Sequence, residues 1–186
     1  MALNRWRKIS EETRIANPWW KYKFDVFELP SHKRGEYHYV HTNGSAMVIP
    51  LHDDRTITLV KQYRYLNERE SIEFVCGGVR EGISYEEMAR NELAEEAGLR
   101  AERILCIGEF NPFNGVTNEI SKVFVAADFT QVDPHPDETE EFEILRLTFD
   151  EIDEKIRRGE IWDGMTLAGW MLFKNRALPT DLSDDT

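Results

Sequence analysis

Large apolar residues alternate with polar ones through Trp20, Tyr22, Phe24 and Val26 in WWKYKFDVFEL (19–29). That is the period of a half-buried strand. PSHKRG (30–35) has turn composition, and EYHYVHT (36–42) reads as the returning strand of a hairpin. The preceding residues 1–17 are polar and read as a short helix or an arm. SAMVIPL (45–51) is a short apolar run, HDDRT turns the chain, and ITLVKQYRY (57–65) follows as another strand. The first third is therefore β-rich.

The period changes at Ser84. Tyr85, Ala89, Leu93 and Ala97 form a stripe at helical spacing. Ser84 with Glu87 makes a capping box, Glu86 and Glu87 complement the dipole in the first turn, and Gly98 is a natural stop. The pattern predicts a helix over 85–97. ERILCIGEF (102–110), SKVFVAADF (121–129) and FEILRLTF (142–149) are strand-like. NPFNGVTNE (111–119) and the acidic, proline-broken QVDPHPDETEE (131–141) are loops. DEIDEKIRRGE (150–160) and DGMTLAGWMLFKNR (163–176) read as two helices, and ALPTDLSDDT as a frayed tail. A β-rich lead, a helix, more strands and two closing helices fit an α+β, sandwich-like arrangement better than a regular βαβ repeat.

Composition narrows the function classes. The 186 residues suffice for one domain with a real core, alone or with an appendage. A net charge of −12 argues against a general nucleic-acid surface, which needs clustered Lys and Arg. It leaves open a small phosphate ligand carried with a divalent cation. No apolar run reaches the roughly 20 residues of a membrane span, and the N-terminal stretch lacks a signal-peptide core. Cys76 and Cys106 form neither a disulfide framework nor a metal motif, and both are expected to be reduced and buried in a cytoplasmic protein.

The chemistry concentrates in NELAEEAGL (91–99). Glu92 and Glu96 sit one turn apart with Glu95 beside them. Like charges so spaced destabilise a bare helix by about 0.2–0.5 kcal/mol per pair. A solvated acidic face is the ordinary explanation. Here, however, a strand runs through EFVCGGVREG (73–82) into a glycine-rich loop that delivers the helix. Gly77, Gly78 and Gly82 allow close approach of backbone to a ligand. Clustered carboxylates beside such a loop suit a hard cation such as Mg²⁺, which binds through a few carboxylates plus substrate phosphates. A bound cation also removes the like-charge penalty.

Residues 77–99, GGVREGISYEEMARNELAEEAGL, resemble the Nudix box, G-x5-E-x7-R-E-U-x-E-E-x-G-U with U a bulky apolar residue. Gly77, Glu92, Leu93, Glu95, Glu96, Gly98 and Leu99 match; Ile83 and Asn91 stand where the pattern has Glu and Arg. Within Nudix hydrolases the chain looks most like the ADP-ribose pyrophosphatase group, through VKQYRY (60–65), IEFVCGG (72–78), the NPFNGVTNE loop and RRGEIWDGMTLAGWML. The resemblance implies a Nudix-type α/β/α sandwich over 45–177. It also implies an N-terminal β-hairpin subdomain over 1–44 that helps form a homodimer, and a flexible tail over 178–186. The implied activity is hydrolysis of a diphosphate bridge in ADP-ribose or a related nucleotide sugar with Mg²⁺ or Mn²⁺. The alternative is a nucleotide-binding or regulatory module with weak turnover.

Carried over by position, Glu92 and Glu96 are metal ligands, Glu95 a helper or third ligand, and the Cys76 carbonyl a backbone ligand. Glu138 and Glu140, in the downstream acidic loop, both qualify as general base or further ligand. Arg64 is a candidate for substrate phosphate, whose geometry a guanidinium matches. Glu73 is a candidate for substrate binding or support of the metal ligands. Trp19, Trp20 and Phe24 are candidates to stack an adenine. Each has a plainer reading: a solvated acidic loop, a surface salt bridge, a strand-end ion pair, and aromatics of a core or dimer interface. In the family the two box residues missing here commonly pair. Losing both partners, unlike losing one, leaves no buried charge behind, so the fold is expected to survive while altered support costs metal affinity or activity.

Overall fold

The alternating stretch near the N-terminus does form a strand, but with two partners. In the computed structural model, which describes residues 3–135 and 141–176, β1 (Arg7–Ala16), β2 (Lys21–Glu28) and β3 (Arg34–His41) form one antiparallel sheet in the order β1-β2-β3. The polar segment read as a helix or an arm is thus largely an edge strand. Nearly all its positions are exposed, so neither face carries an apolar signature. Charge holds it instead: Arg7 reaches Glu28 at 2.9 Å, Lys8 reaches Asp25 at 2.9 Å, and Lys23 pairs with Glu11.

β4 (Ser45–Pro50) is buried at every position. Its Met47 and Ile49 enter one apolar cluster and its Ala46 and Val48 another. A strand covered on both faces reads as an unbroken apolar run, which is what SAMVIPL is. β4 lies in a four-stranded sheet, β7-β4-β9-β8, with β7 (Val75–Gly78), β8 (Leu99–Phe110) and β9 (Ser121–Gln131). It runs parallel to β9 and antiparallel to β7. A second sheet, β10-β5-β6, joins β5 (Thr56–Arg64), β6 (Arg69–Glu73) and β10 (Glu143–Thr148).

Helix α1 (Tyr85–Ala97) packs Met88, Ala89 and Leu93 into the cluster holding Ala46, Val48 and Phe124. Helices α2 (Phe149–Arg157) and α3 (Gly164–Lys174) contribute Ile152, Trp170 and Phe173 to the cluster holding Met47, Ile49 and Phe74. Each fully buried Leu, Ile or Phe contributes on the order of 1.5–3 kcal/mol, so these clusters fix the frame. Helices on either side of central sheets make the α+β sandwich that the element order predicts. None of the described helices is long and apolar enough to cross a membrane.

Both cysteines are free. Cys76 is partly buried, but Cys106 is exposed, against the expectation of two buried thiols. Strand side chains alternate between faces. Ile107 takes the core side of β8, so its neighbour Cys106 projects to the other side.

Helix α1 has the predicted bounds, with one half of the expected Ser84–Glu87 capping box. Ser84 Oγ accepts the Glu87 N–H at 3.1 Å, and Gly98 closes the helix in the left-handed region at φ 64°. Its buried face is not quite the expected stripe. Tyr85 and Ala97 are only half-buried, while Met88, Ala89, Leu93 and a glutamate, Glu96, are fully buried.

Candidate active site

A carboxylate in an apolar face costs several kcal/mol unless charge or hydrogen bonds compensate it. Glu96 is only 6% exposed. Glu92, one turn earlier, is half-buried and lies over the backbone of β7. A Cβ at Gly77 would sit 2.1 Å from the Glu92 carboxyl carbon, so only glycine leaves room for that carboxylate. β7 is held against β4 by the pairs Ala46–Gly77 and Ser45–Gly78, and the Val79 N–H donates to the Gly44 carbonyl at 2.9 Å. Tyr85, the first residue of α1, donates from its hydroxyl to the Asn43 carbonyl at 3.2 Å. Loop and helix start are therefore both tied to Asn43 and Gly44, the link that leads into β4.

Cys76 reports the local field. Burial pushes its thiol pKa well up, and the Glu96 and Glu92 carboxylates push it further. The oxygen this residue can offer a hard cation is its backbone carbonyl. Two carboxylates one turn apart and a backbone carbonyl are hard oxygen donors, a set that fits Mg²⁺ or Mn²⁺. Among the described residues no three His, Cys, Asp or Glu side chains converge into a metal cage. A cation here would complete its shell with water and phosphate oxygens, as Mg²⁺ commonly does. Glu95 stands apart: its carboxylate is 3.9 Å from Arg80, and it does not line the cavity described next.

Glu92, Glu96, Cys76 and Gly77 line a cavity of about 910 Å³ that also carries Trp19 and Trp20. The Asn17 side chain accepts the backbone N–H groups of Trp19 at 2.9 Å and Trp20 at 2.8 Å, a local turn that presents both rings. Trp19 is 80% exposed and Trp20 40%. Phe24 is half-buried in β2 and lies under the Arg14 guanidinium, outside this cavity.

Arg64 and Glu73 are brought together in an adjoining cavity of about 200 Å³. Arg64 Nε donates to Glu73 Oε1 at 2.8 Å and its terminal nitrogen to Oε2. This bidentate pair strengthens the guanidinium's hold on its proton, against the effect of burial. Glu138 and Glu140 lie outside the described residues.

The two departures from the box pattern take different places. Ile83 is half-buried and packs against the α1 cluster, whereas Asn91 is exposed. An apolar side chain thus joins the core, and a neutral one meets water. Sequence reasoning missed Glu119. It lines both cavities and accepts the Ser45 hydroxyl at 2.8 Å. Its one signal was an acid closing a turn-rich loop just before a strand.

The sandwich and its carboxylate-bearing helix define a hydrolase of the Nudix type. The NUDIX domain model matches residues 41–166, and the chain belongs to that family. It is 30% identical over 141 residues to an ADP-ribose pyrophosphatase of Bacillus subtilis (strain 168), covering 75% of this chain and 76% of that protein. It is 28% identical over 149 residues to a methanol dehydrogenase activator of Bacillus methanolicus, covering 79% and 80%. A GDP-mannose pyrophosphatase of Escherichia coli O1:K1 / APEC is 28% identical over 148 residues, covering 75% and 76%. Among solved structures, an ADP compounds hydrolase superposes with a TM-score of 0.81 over 94% of this chain and 95% of that one, at 19% identity. That last likeness is one of fold.

Proposed function

We propose that the chain adds water across the diphosphate bridge of a nucleoside diphosphate joined to a second group, ADP-ribose or a related nucleotide sugar. The products are a nucleoside monophosphate and a sugar phosphate. The observation that carries this reading is the Glu92 carboxylate over the Gly77 backbone, with Glu96 and Cys76 lining the same cavity beside Trp19 and Trp20. The relatedness to ADP-ribose and GDP-mannose pyrophosphatases supports it.

Glu92, Glu96 and the Cys76 carbonyl hold Mg²⁺ or Mn²⁺ in this proposal, with Glu95 a helper. A bound divalent ion polarises phosphoryl oxygens and lowers the pKa of water. Trp19 and Trp20 stack the base. The Arg64–Glu73 pair braces the adjoining wall. The proton taken from water goes to Glu138 or Glu140. The N-terminal sheet, which delivers the two tryptophans, is also the surface proposed to join two copies into a dimer, and the reaction is placed in the cytoplasm.

The test is a nucleotide-sugar panel with Mg²⁺ or Mn²⁺ and identification of products. AMP or GMP plus a sugar phosphate is expected. Glu96→Gln is expected to remove most turnover, at least about 100-fold, while the chain stays folded; an unchanged rate sinks the ligand assignment. The departures at Ile83 and Asn91, with a relative named as a dehydrogenase activator, support a second reading: a nucleotide-binding regulatory module. Measurable nucleotide binding without turnover across the panel favours that one. Ile83→Glu with Asn91→Arg separates the two further, since the restored pair should raise rate and metal affinity together.

A further inference from the structure

Two glycines beside α1 leave room for side chains from one face of that helix. A Cβ at Gly77 would sit 2.1 Å from the Glu92 carboxyl carbon, and a Cβ at Gly44 would sit 2.1 Å from the Tyr85 hydroxyl oxygen. Gly44 also has φ 99°, in the left-handed region that favours glycine. Tyr85 and Glu92 are seven residues apart, and Glu96 follows four residues later. At about 100° per residue, Glu92 and Glu96 both lie within about 20° of the direction of Tyr85. The helix thus bears on its neighbours through three polar side chains in one line, with Tyr85 at the N-terminal end.

Tyr85 is tied to two strands at once. Its hydroxyl donates to the Asn43 carbonyl at 3.2 Å and lies 3.4 Å from the Ile120 carbonyl. Asn43 leads into β4 and Ile120 into β9, and the Ile120 carbonyl also accepts the Ser45 N–H at 3.0 Å. The Lys122 ammonium lies 4.8 Å from the centre of the Tyr85 ring, a cation–π contact from β9. At the other end of the loop, the Val79 N–H donates to the Gly44 carbonyl at 2.9 Å. Segment 79–85 is therefore closed at both ends on residues 43–44. Ile83 packs on the apolar cluster and Asn91 is exposed, so neither adds a charged link between loop and helix.

Apolar contacts and hydrogen bonds hold a helix in different ways. Met88, Ala89 and Leu93 press α1 onto the sheet, but apolar attraction is non-directional and fixes sliding or rotation only loosely. A hydrogen bond is directional. A helix rises 1.5 Å per residue, so a slip at Tyr85 is carried to Glu92 about 10 Å along and to Glu96 about 16 Å along.

We propose that Tyr85 is a positioning residue: its hydroxyl, seated on Gly44 between Asn43 and Ile120, sets the register in which α1 presents Glu92 and Glu96. This rests on the reading of those two carboxylates as holders of a divalent cation.

The test is Mn²⁺ binding to the intact chain without nucleotide, read from the electron paramagnetic resonance signal of free Mn²⁺. Tyr85→Phe keeps the ring and removes the hydroxyl. It is expected to weaken Mn²⁺ about 10-fold in a chain whose circular dichroism matches wild type. The half-saturating Mn²⁺ for turnover should rise by the same factor, while KM for the nucleotide at saturating Mn²⁺ stays unchanged. 4-Aminophenylalanine at position 85 keeps a donor in the same place and should recover most of the loss. A role in stability alone would lower the thermal midpoint and leave Mn²⁺ affinity of the folded chain untouched. Unchanged Mn²⁺ affinity in Tyr85→Phe, or loss of its fold, overturns the proposal and leaves the hydrolase reading intact. Weakened Mn²⁺ in Tyr85→Phe, beside a wild type that turns over no panel substrate, keeps the proposal and overturns the hydrolase reading. A wild-type chain that binds no Mn²⁺ overturns both.

Discussion

β1 and β4 are both strands of this chain, yet they share almost no physical basis. Every residue of β4 is buried, and nearly every residue of β1 is exposed. β4 is fixed by apolar packing on both faces. β1 is fixed by backbone bonds to β2 and by Arg7, Lys8 and Glu11 pairing with groups on its neighbour. The two regions supply different things to one cavity. The packed sandwich holds Glu92 and Glu96 at fixed positions, whereas the charged sheet brings Trp19, Trp20 and Lys21 to the opening. Metal coordination needs rigid donors, while a stacking ring needs mainly exposure.

The sharpest way to break this comparison is to remove equal bulk from each region. Leu93 is fully buried in α1. Leu93→Ala should cost about 2–5 kcal/mol, read from urea unfolding, since the cavity left behind adds to the lost burial. Ile15 in β1 is 57% exposed, and Ile15→Ala should change stability by no more than about 0.5 kcal/mol. Similar losses at both sites would mean that β1 is buried in solution, as a face covered by a second copy would be.

The rigid half also makes a smaller, more local prediction. Gly77→Ala puts a Cβ 2.1 Å from the Glu92 carboxyl carbon. The clash is with the end of a side chain, so the fold should hold within about 1 kcal/mol, and Glu92 should be displaced. Metal affinity and kcat/KM should fall about 10- to 100-fold. A normal rate in a well-folded Gly77→Ala would show that the position of Glu92 does not matter. Loss of fold would show that Gly77 serves packing instead.

How much of this was legible depends on the force involved. The bounds of helix α1 were readable to the residue from Ser84 and Gly98, although its buried face differs from the expected stripe. β4 was readable because two-sided burial leaves an unbroken apolar run. β1 was not, since charge pairing across strands has no period in a single sequence. In the site, Glu92 and Glu96 were legible from spacing, whereas Glu119 was not: it reaches the cavity only because β9 lies beside β4. The pairing of Arg64 with Glu73 was not legible either, since the β5–β6 register sets Arg64 opposite Arg69 and Glu73 opposite Val60, and only the side chains bring the two charges together. Ile83 could be read as a departure, but its packing on the α1 cluster needed the fold.

The smallest effect sharpens the comparison from the charged side. Lys23 and then Lys8 donate to Glu11 and hold its carboxyl pKa down from 4.5 to about 2. A carboxyl with a depressed folded-state pKa stabilises the fold above its unfolded value and loses that contribution as pH falls through the folded one. The N-terminal sheet should therefore loosen between about pH 4.5 and 2, while the apolar sandwich, on this account alone, should not. Trp6, stacked on Phe27 with ring centroids 4.4 Å apart, and Ile49, fully buried in β4, are reporters of the two regions. In an NMR acid titration the Trp6 indole should shift before the Ile49 methyl groups. Added salt should weaken the ion pairs and move that change to higher pH, and Glu11→Gln should remove Glu11's share of it. Signals that move together would mean that β1 unfolds only with the sandwich, and that charge pairing is not what sets its stability.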